Sequence, residues 1–309
     1  MKQLVFAAVT AAAIAFFAGG PALAQVMSDD DDSIDQNMVA DDLAREYLKK
    51  DLSAETAVRI ALITRRDELD VFAQPDVADA DALDDKFLLF VAEIRAAFYR
   101  DLGAQQAAAY LTDMQSRIGH AVDVAQGLYE AGAMGLLDMM RIQAAQAGFN
   151  GDVALARATA AIENGRLANL IRVNPDDIKV PPRFLDVPPE PAFEPETVPD
   201  SGELRWAIRQ SYIAYSAARE RAWTYQEIAL PKRRAVAELV TVRSYMQADV
   251  FAVLAELSGV GAVMLTTIEA QRDFWLAENA LRVAEVPHLE PPPPPHLGVG
   301  LPLALTDRR

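Results

Sequence analysis

The stretch that decides the fold is Phe87–Leu128, FLLFVAEIRAAFYRDLGAQQAAAYLTDMQSRIGHAVDVAQGL, in which apolar side chains recur at steps of three and four. This spacing places them on one stripe of a helix and is typical of a coiled-coil seam. No proline interrupts the chain between Leu83 and Glu130, so the pattern predicts one helix on the order of 70 Å long. The predicted seam consists of Phe87, Val91, Ile94, Phe98, Leu102, Leu111, Met114, Ile118, Val122, Ala125 and Leu128.

A short interruption follows this helix and turns the chain back on itself. The apolar pattern breaks at Gly132–Gly135 and resumes from Leu136 to Val173. Because the turn has so few residues, the two helices must run antiparallel. The first half of the chain is therefore predicted to be a long helical hairpin. A shorter helix over Ala54–Leu69, with Ser53 as its N-cap, is predicted to precede it.

The second half of the chain repeats this organisation. A helix is predicted from Gly202 to Arg243, with a kink at Pro231, because the proline ring removes a helical hydrogen bond. The next turn is expected at Met246–Asp249, and a returning helix is expected from Val250 to Val286. These elements form a second hairpin of similar length.

The two hairpins also correspond at a period of about 114 positions. Ile94-Arg95 followed by Tyr99 corresponds to Ile208-Arg209 followed by Tyr212. Helix lengths, turns and the order of apolar residues agree together, which indicates an internal duplication. The sequence thus predicts an all-α fold made of two long, antiparallel, coiled-coil-like helical hairpins.

The remaining segments are polar or proline-rich and separate these parts. Lys2, an apolar run and Ala22-Leu23-Ala24 follow one another in the order of a secretory signal, so export from the cytoplasm is expected. No later stretch reaches the ~20 uninterrupted apolar residues of a membrane-spanning helix. The predicted organisation is 1–24 signal peptide, 25–52 acidic leader, 53–174 first repeat, 175–201 proline-rich linker, 202–286 second repeat and 287–309 proline-rich tail.

Composition and charge narrow the functional classes. The 309 residues include no cysteine, which excludes disulfides, thiolate metal sites and a cysteine-linked lipid anchor. The 45 acidic and 29 basic residues give a net charge of -16, so phosphate backbones and anionic lipid surfaces are repelled. Nucleic acid is therefore not an expected partner.

The sequence lacks recognisable motifs for catalysis or cofactor binding. His120, His288 and His296 form no pair at the spacing of metal ligands on a helix. There is no glycine-rich phosphate loop and no nucleophile elbow. The adjacent aspartates Asp29–Asp32 are typical of a solvated charge block. We therefore expect no enzyme activity, no catalytic residue, no metal site and no cofactor.

A family resemblance is carried by several segments that lie in order between residues 50 and 285. They are Leu52–Leu62 followed by Asp67–Leu69, Leu128–Gly132 followed by Leu136–Asp138, Leu230-Pro231, Tyr245-Met246, and Ile268–Ala277. Within a duplicated pair of hairpins behind a signal peptide, these segments resemble the TolC family of outer-membrane efflux proteins.

The resemblance implies a role as a conduit for export. Members of the family form trimers whose hairpins build a helical tunnel through the periplasm, and the hairpin tips meet a periplasmic adaptor or an inner-membrane pump. By resemblance, the expected partners are an adaptor and a pump, and the chain is expected to form a homotrimer or to co-assemble with full-length relatives. The expected contact residues are Gly132, Met134, Gly135, Leu136, Tyr245, Met246, Asp249 and Val250.

One departure from the family pattern concerns its β-barrel. Each barrel strand needs ~9 to 11 alternating residues, but only an acidic connection lies between Leu69 and Phe87, and prolines interrupt Asn174–Leu204. We therefore expect the barrel portion to be missing. The expected location of the protein is the periplasm or the outer membrane of a Gram-negative bacterium. The alternative is a periplasmic helical scaffold or chaperone-like coiled coil without a transport role. The oligomeric state would distinguish this alternative from the conduit, because a conduit is expected to be a ring of subunits and a simple bundle can be monomeric.

Overall fold

The computed structural model describes residues 42–65, 80–188, 203–244 and 250–284. The chain divides into two compact units, Met1–Tyr47 and Leu48–Arg309. Residues 42–47 of the first unit are helical. The predicted signal peptide (1–24), the second turn (Met246–Asp249) and the tail (287–309) lie outside the described residues.

The second unit is built from helices, and the bounds of the four long ones lie within about three residues of the predicted bounds. The helices are α1 (Ala54–Thr64), α2 (Ala80–Glu130), α3 (Leu136–Ile171), α4 (Glu203–Ser244) and α5 (Val250–Ala284), with a 3-10 turn at Pro175–Asp177. The first, short helix ends at Thr64, and its predicted end at Leu69 lies outside the described residues. Over the described ranges the chain contains no β-strand. The prediction of an all-α fold with two long hairpins, α2–α3 and α4–α5, is confirmed.

The predicted seam of α2 is buried along most of its length. Its members from Ile94 to Ala125 are each at most 9% exposed, and Ala125 is fully buried. Leu128, however, is 37% exposed, so its assignment to the seam was wrong. Leu128 lies in the last turn of α2, two residues before the helix ends at Glu130, whereas Val122 and Ala125 before it are buried.

The four long helices pack side by side in a row. Helix α2 packs against α5 in the middle, while α3 packs on the other side of α2 and α4 on the other side of α5. Among the described residues, α3 and α4 make no extensive contact with each other. The row therefore has two lateral edges, one formed by α3 and the other by α4.

Two of the apolar clusters among the described residues show how the row is held together. The cluster nearest the α2–α3 turn joins residues of all four long helices, including Met114, Ile142, Ala229 and Val253. The other joins α4 to α5 through Tyr215 and Phe274, whose ring centroids are 5.6 Å apart. Burial of each large apolar side chain contributes about 1.5–3 kcal/mol, so these clusters contribute to the stability of the row.

Helix α1 caps the far end of the first hairpin. The Ser53 hydroxyl accepts a hydrogen bond from the Thr56 amide at 3.1 Å, which confirms the predicted N-cap. At the other end of α1, the Thr64 hydroxyl donates to the Ile171 carbonyl at 2.8 Å, and the Arg65 guanidinium donates to the Leu170 carbonyl. These bonds satisfy carbonyls that the last turn of α3 leaves without helical partners.

The described part of the proline-rich segment packs against the helices. Residues 178–188, called the strap here, include the buried side chains of Phe184 and Val187. The Lys179 carbonyl accepts from the Leu52 amide at 2.6 Å, and the Pro182 carbonyl accepts from the Gln106 amide group at 3.1 Å. The strap is therefore fixed to the fold by both apolar contacts and hydrogen bonds.

Helix α5 has a property that the sequence analysis overlooked. Its Phe251–Ala284 portion is long and apolar enough to cross a membrane, by length and composition alone. In the structure it packs between α2 and α4, and it buries the polar side chains of Thr267, Asp273 and Asn279. Its apolar character is accounted for by this central position, since the core helix of a row contacts neighbours on both sides.

Candidate functional site

The tip of the first hairpin is a tight, hydrogen-bonded turn. Gly132 has a φ of 73°, in the left-handed region that glycine adopts without steric cost. Its amide donates to the Tyr129 carbonyl at 2.9 Å, and the Ala133 amide donates to the Leu128 carbonyl at 2.8 Å. This pair of bonds is a Schellman motif, which ends α2 and fixes the direction of the turn.

The tip residues predicted as contacts differ in exposure. Gly132, Gly135 and Leu136 are exposed, and Leu136 reaches 59%, whereas Met134 is partly buried against the core. Gly135 is the N-cap of α3 and provides no side-chain hydrogen bond. An unusually apolar surface therefore faces outwards at the tip, although only part of the predicted set contributes side chains to it.

The predicted contacts of the second tip are less completely described. Tyr245, Met246 and Asp249 lie outside the described residues, and Val250 begins α5. Val253 of α5 and Met139 near the start of α3 belong to the same apolar cluster. The start of α5 therefore lies close to the start of α3. The described ends of the two hairpins thus lie at the same end of the row.

The lateral edge of α3 exposes large apolar side chains, of which only Leu136 is among the predicted contact residues. Its buried residues, such as Ile142 and Val153, lie on one face, and the opposite face is exposed. Small residues at Ala144, Ala158 and their neighbours accompany the large ones on the exposed side. The large side chains, each at least 55% exposed, are Leu136, Leu137, Met140, Leu155 and Ile162.

The lateral edge of α4 has the same character. Trp206 is 68% exposed and Ile213 is 60% exposed, seven residues further along the same helical face. Trp223 and Ile228 are also exposed, closer to the end of the helix. Single exposed apolar residues are common on protein surfaces. Here they form two stripes, on α3 and on α4 at the two edges of the row, and this indicates surfaces for contact with other helices.

Polar groups in the interior of the described part join the helices to one another. Both carboxylate oxygens of Asp273 on α5 are occupied, one by Arg221 of α4 at 3.1 Å and the other by Arg272 at 2.7 Å. Tyr99 stacks on Trp275 across the α2–α5 contact, with ring centroids 5.6 Å apart. Burial, with smaller contributions from Glu278 and Glu55, raises the pKa of Tyr99 to about 12, so its phenol stays protonated at neutral pH.

Metal binding was not expected, and the described residues offer no obvious site for it. In these ranges no three His, Asp or Glu side chains come together in a group that would hold an ion. His120 is exposed on α2, while His288 and His296 lie outside the described residues.

Comparison with solved structures identifies proteins of the same architecture. The outer-membrane channel OprN superposes with a TM-score of 0.54 at 13% identity, over 74% of this chain and 71% of that chain. The outer membrane protein VceC from Vibrio cholerae superposes with a TM-score of 0.52 at 12% identity, over 75% of this chain and 74% of that chain. This chain has a TolC-type fold.

The TolC-type fold confirms the resemblance inferred from the sequence at the level of architecture. No protein-family model matches the chain, and no curated protein matches it significantly. Sequence identities of 12% and 13% are compatible with a shared packing scheme while most surface residues differ. A function for this chain is therefore inferred from its own surfaces.

Proposed function

We propose that this protein is a non-enzymatic component of a tripartite efflux system, to which it contributes periplasmic helical hairpins. The observation that carries the proposal is the row of four helices with two apolar edges, α3 and α4. A protein that functioned alone in water would be more stable if these side chains were covered, since each buried methylene contributes about 0.8 kcal/mol. The fold shared with an outer-membrane channel supports the same role.

The two edges suggest how copies assemble. The α3 edge and the α4 edge are different surfaces, so contact between them is head-to-tail, and repetition of one such contact closes a ring when the rotation allows it. A ring of three copies would place twelve long helices around a central space. A mixed ring with full-length relatives would use the same edges.

The hairpin tips are the proposed contact for an adaptor or an inner-membrane pump. Leu136 and Leu137 are both about 60% exposed at the start of α3, beside the turn at Gly132–Gly135. Met134 supports this surface from the core side, where it packs against the apolar cluster. The corresponding residues of the second hairpin, Tyr245, Met246, Asp249 and Val250, complete the proposed contact. This role places the protein in the Gram-negative envelope, in the periplasm or at the outer membrane.

Charge substitution on the edges tests the proposed assembly. Ile162→Glu on α3 and Ile213→Glu on α4 each place a carboxylate on a side chain that is more than half exposed, so the folded subunit should be unaffected. Leu185→Glu is the matched control, because Leu185 is 77% exposed but lies in the strap. We expect the two edge variants to lose the assembly and the control to retain it, as measured by native mass spectrometry.

Different outcomes of this experiment distinguish the proposals. If both edge variants retain the assembly of the wild type, the edges are not the interface. If the wild type is itself monomeric, the periplasmic scaffold without a transport role becomes the better explanation. Docking is tested separately by photo-crosslinking from position 136 in the native host, with position 185 as control, and an adaptor or pump is expected in the product from position 136 alone.

A further inference from the structure

Contacts between neighbouring helices fix the heights of the four long helices relative to one another. Arg157 of α3 donates to the Thr112 hydroxyl group of α2 at 3.1 Å. Two residues further along α2, the methyl group of Met114 lies against Gly261 of α5. A helix rises about 1.5 Å per residue, so these two contacts differ in height by about 3 Å. Arg157 on one edge of the row therefore lies at about the height of Gly261 in its middle.

Two contacts between α5 and α4 extend this comparison to the other edge. Glu256 of α5 pairs with Lys232 of α4 at 3.5 Å. The Thr267 hydroxyl of α5 donates to the Tyr225 carbonyl of α4 at 3.4 Å. The height described above lies between these two contacts. On α4 it therefore falls between Tyr225 and Lys232, close to Glu227.

A closed ring preserves these heights, because its copies are related by rotation without translation. Helices α3 and α4 run in opposite directions, since α5 starts beside the start of α3 and α4 is antiparallel to α5. When the α4 edge of one copy meets the α3 edge of the next, equal steps along the two helices bring residues of opposite charge to matching heights. The resulting pairs are Asp152 with Lys232, Arg157 with Glu227, and Arg166 with Glu220.

Four of these charged groups are exposed and lack an ionic partner in the described part of their own chain. Arg157 donates to neutral oxygen atoms of α2. Asp152, Glu220 and Glu227 are exposed and form no ion pair with a described residue. A second copy can therefore supply the opposite charge that the single chain does not supply.

The other two groups are already paired but remain accessible. The side chain of Lys232 is 42% exposed beside Glu256, and that of Arg166 is 66% exposed beside Glu163. Each cation can therefore contact a second carboxylate. The side chain of Glu163 is only 15% exposed, so its repulsion of Glu220 across the contact is weak.

Apolar side chains also meet in this register, between the charged pairs. Leu155 of α3 comes opposite Ile228 of α4, and Ile162 comes opposite Trp223. All four are exposed in the single chain. Apolar contacts flanked by charged pairs are typical of antiparallel coiled-coil seams, in which the charges set the choice of partner.

We propose that the α4 edge of one copy docks on the α3 edge of a second copy of this chain in this register, and that the charged pairs select copies of this chain as neighbours. The inference rests on the proposed function, which supplies the lateral association, and it adds the register and the partner.

The order of charges along the edges also disfavours other registers. A slip of about five residues, or about 8 Å, in one direction sets Lys232 opposite Arg157. The same slip in the other direction sets Glu227 opposite Asp152. Like charges that face each other across a contact are repelled, so both slipped arrangements are less stable than the proposed one.

The chain contains no cysteine, so introduced cysteines can test the register directly in the full-length protein. Oxidation of Leu155→Cys/Ile228→Cys should link neighbouring copies into covalent multimers, seen by non-reducing electrophoresis. The control Ile162→Cys/Ile228→Cys moves one cysteine by about 10 Å along the helix axis. Cα atoms more than about 7 Å apart are not bridged without movement of the backbone, so the control should lose these multimers.

Charge reversal tests the pairing separately. Arg157→Glu and Glu227→Arg should each weaken association about fivefold, measured by native mass spectrometry over a dilution series, because an attraction becomes a repulsion. The two reversals together should restore association, which a folding defect would not explain. Arg157→Glu with Glu220→Arg, where the new charges differ in height by about 10 Å, should not restore it.

The outcomes separate this inference from the proposed function. If the wild type assembles but the matched cysteines form no multimers, or the matched reversal restores nothing, the register is refuted while lateral assembly stands. If the wild type is a single chain in both assays, lateral association itself is refuted, and the register with it.

Discussion

Replacement of Asp273 by asparagine tests how α4 and α5 are held together. The side chain of Asp273 is 2% exposed and accepts three hydrogen bonds from two arginines. Asp273→Asn keeps nearly the same volume but removes the charge, and one carboxylate oxygen becomes an amide that donates hydrogen bonds. Arg221 and Arg272 then lose their anionic partner while remaining in place.

The expected loss of stability follows from burial. Breaking a fully buried ion pair by removing one partner costs about 3–5 kcal/mol, since the remaining charge is left without compensation. The arginine side chains are 20% and 35% exposed, so water can restore part of their solvation. We therefore expect the free energy of unfolding to fall by about 2–3 kcal/mol.

Urea unfolding followed by circular dichroism at pH 7 measures this change. Asp113→Asn serves as the control, because Asp113 pairs with Arg117 at the surface, where both side chains are more than half exposed. The control should lose less than about 1 kcal/mol. A loss below about 0.5 kcal/mol for Asp273→Asn, similar to that of a typical surface substitution, would refute the reasoning that the buried ionic contact fastens α4 to α5.

Two further substitutions test local features of the first hairpin. Gly132→Ala places a Cβ on a residue with φ 73°, so thermal unfolding should show a loss of about 1 kcal/mol, and an unchanged midpoint would argue against the Schellman turn. Ser53→Ala removes the side-chain cap of α1 and should cost about 1 kcal/mol, whereas Ser53→Asp, which restores an acceptor, should recover most of the loss if capping is the cause.

The helices were predictable from the sequence because their signals are local. The predicted start of α3 at Leu136 agrees with the structure, and Ser53 is the N-cap of α1 as expected. Periodicity in a proline-free stretch also defined the end of α2 at Glu130. Periodicity did not reveal that Leu128 is exposed, because the spacing of three and four residues continues to Leu128 although its side chain is not covered in the last turn of α2.

The candidate surfaces were only partly predictable. The first tip was found through Gly132 and Gly135, since glycines between two periodic segments mark a turn. The lateral edges were missed, because Leu155 and Trp206 are apolar residues that sequence alone would assign to the core. Their exposure depends on the order in which the four helices pack, and no local pattern encodes that order.

Copies of this chain are proposed to associate laterally through the α3 and α4 edges, and the mass of the native protein reports on this association. The protein would be extracted under mild conditions from the envelope of its own host and sized by native mass spectrometry. We expect a closed assembly of three subunits, composed of this chain alone or together with full-length relatives. A single unassociated chain as the only species would contradict it.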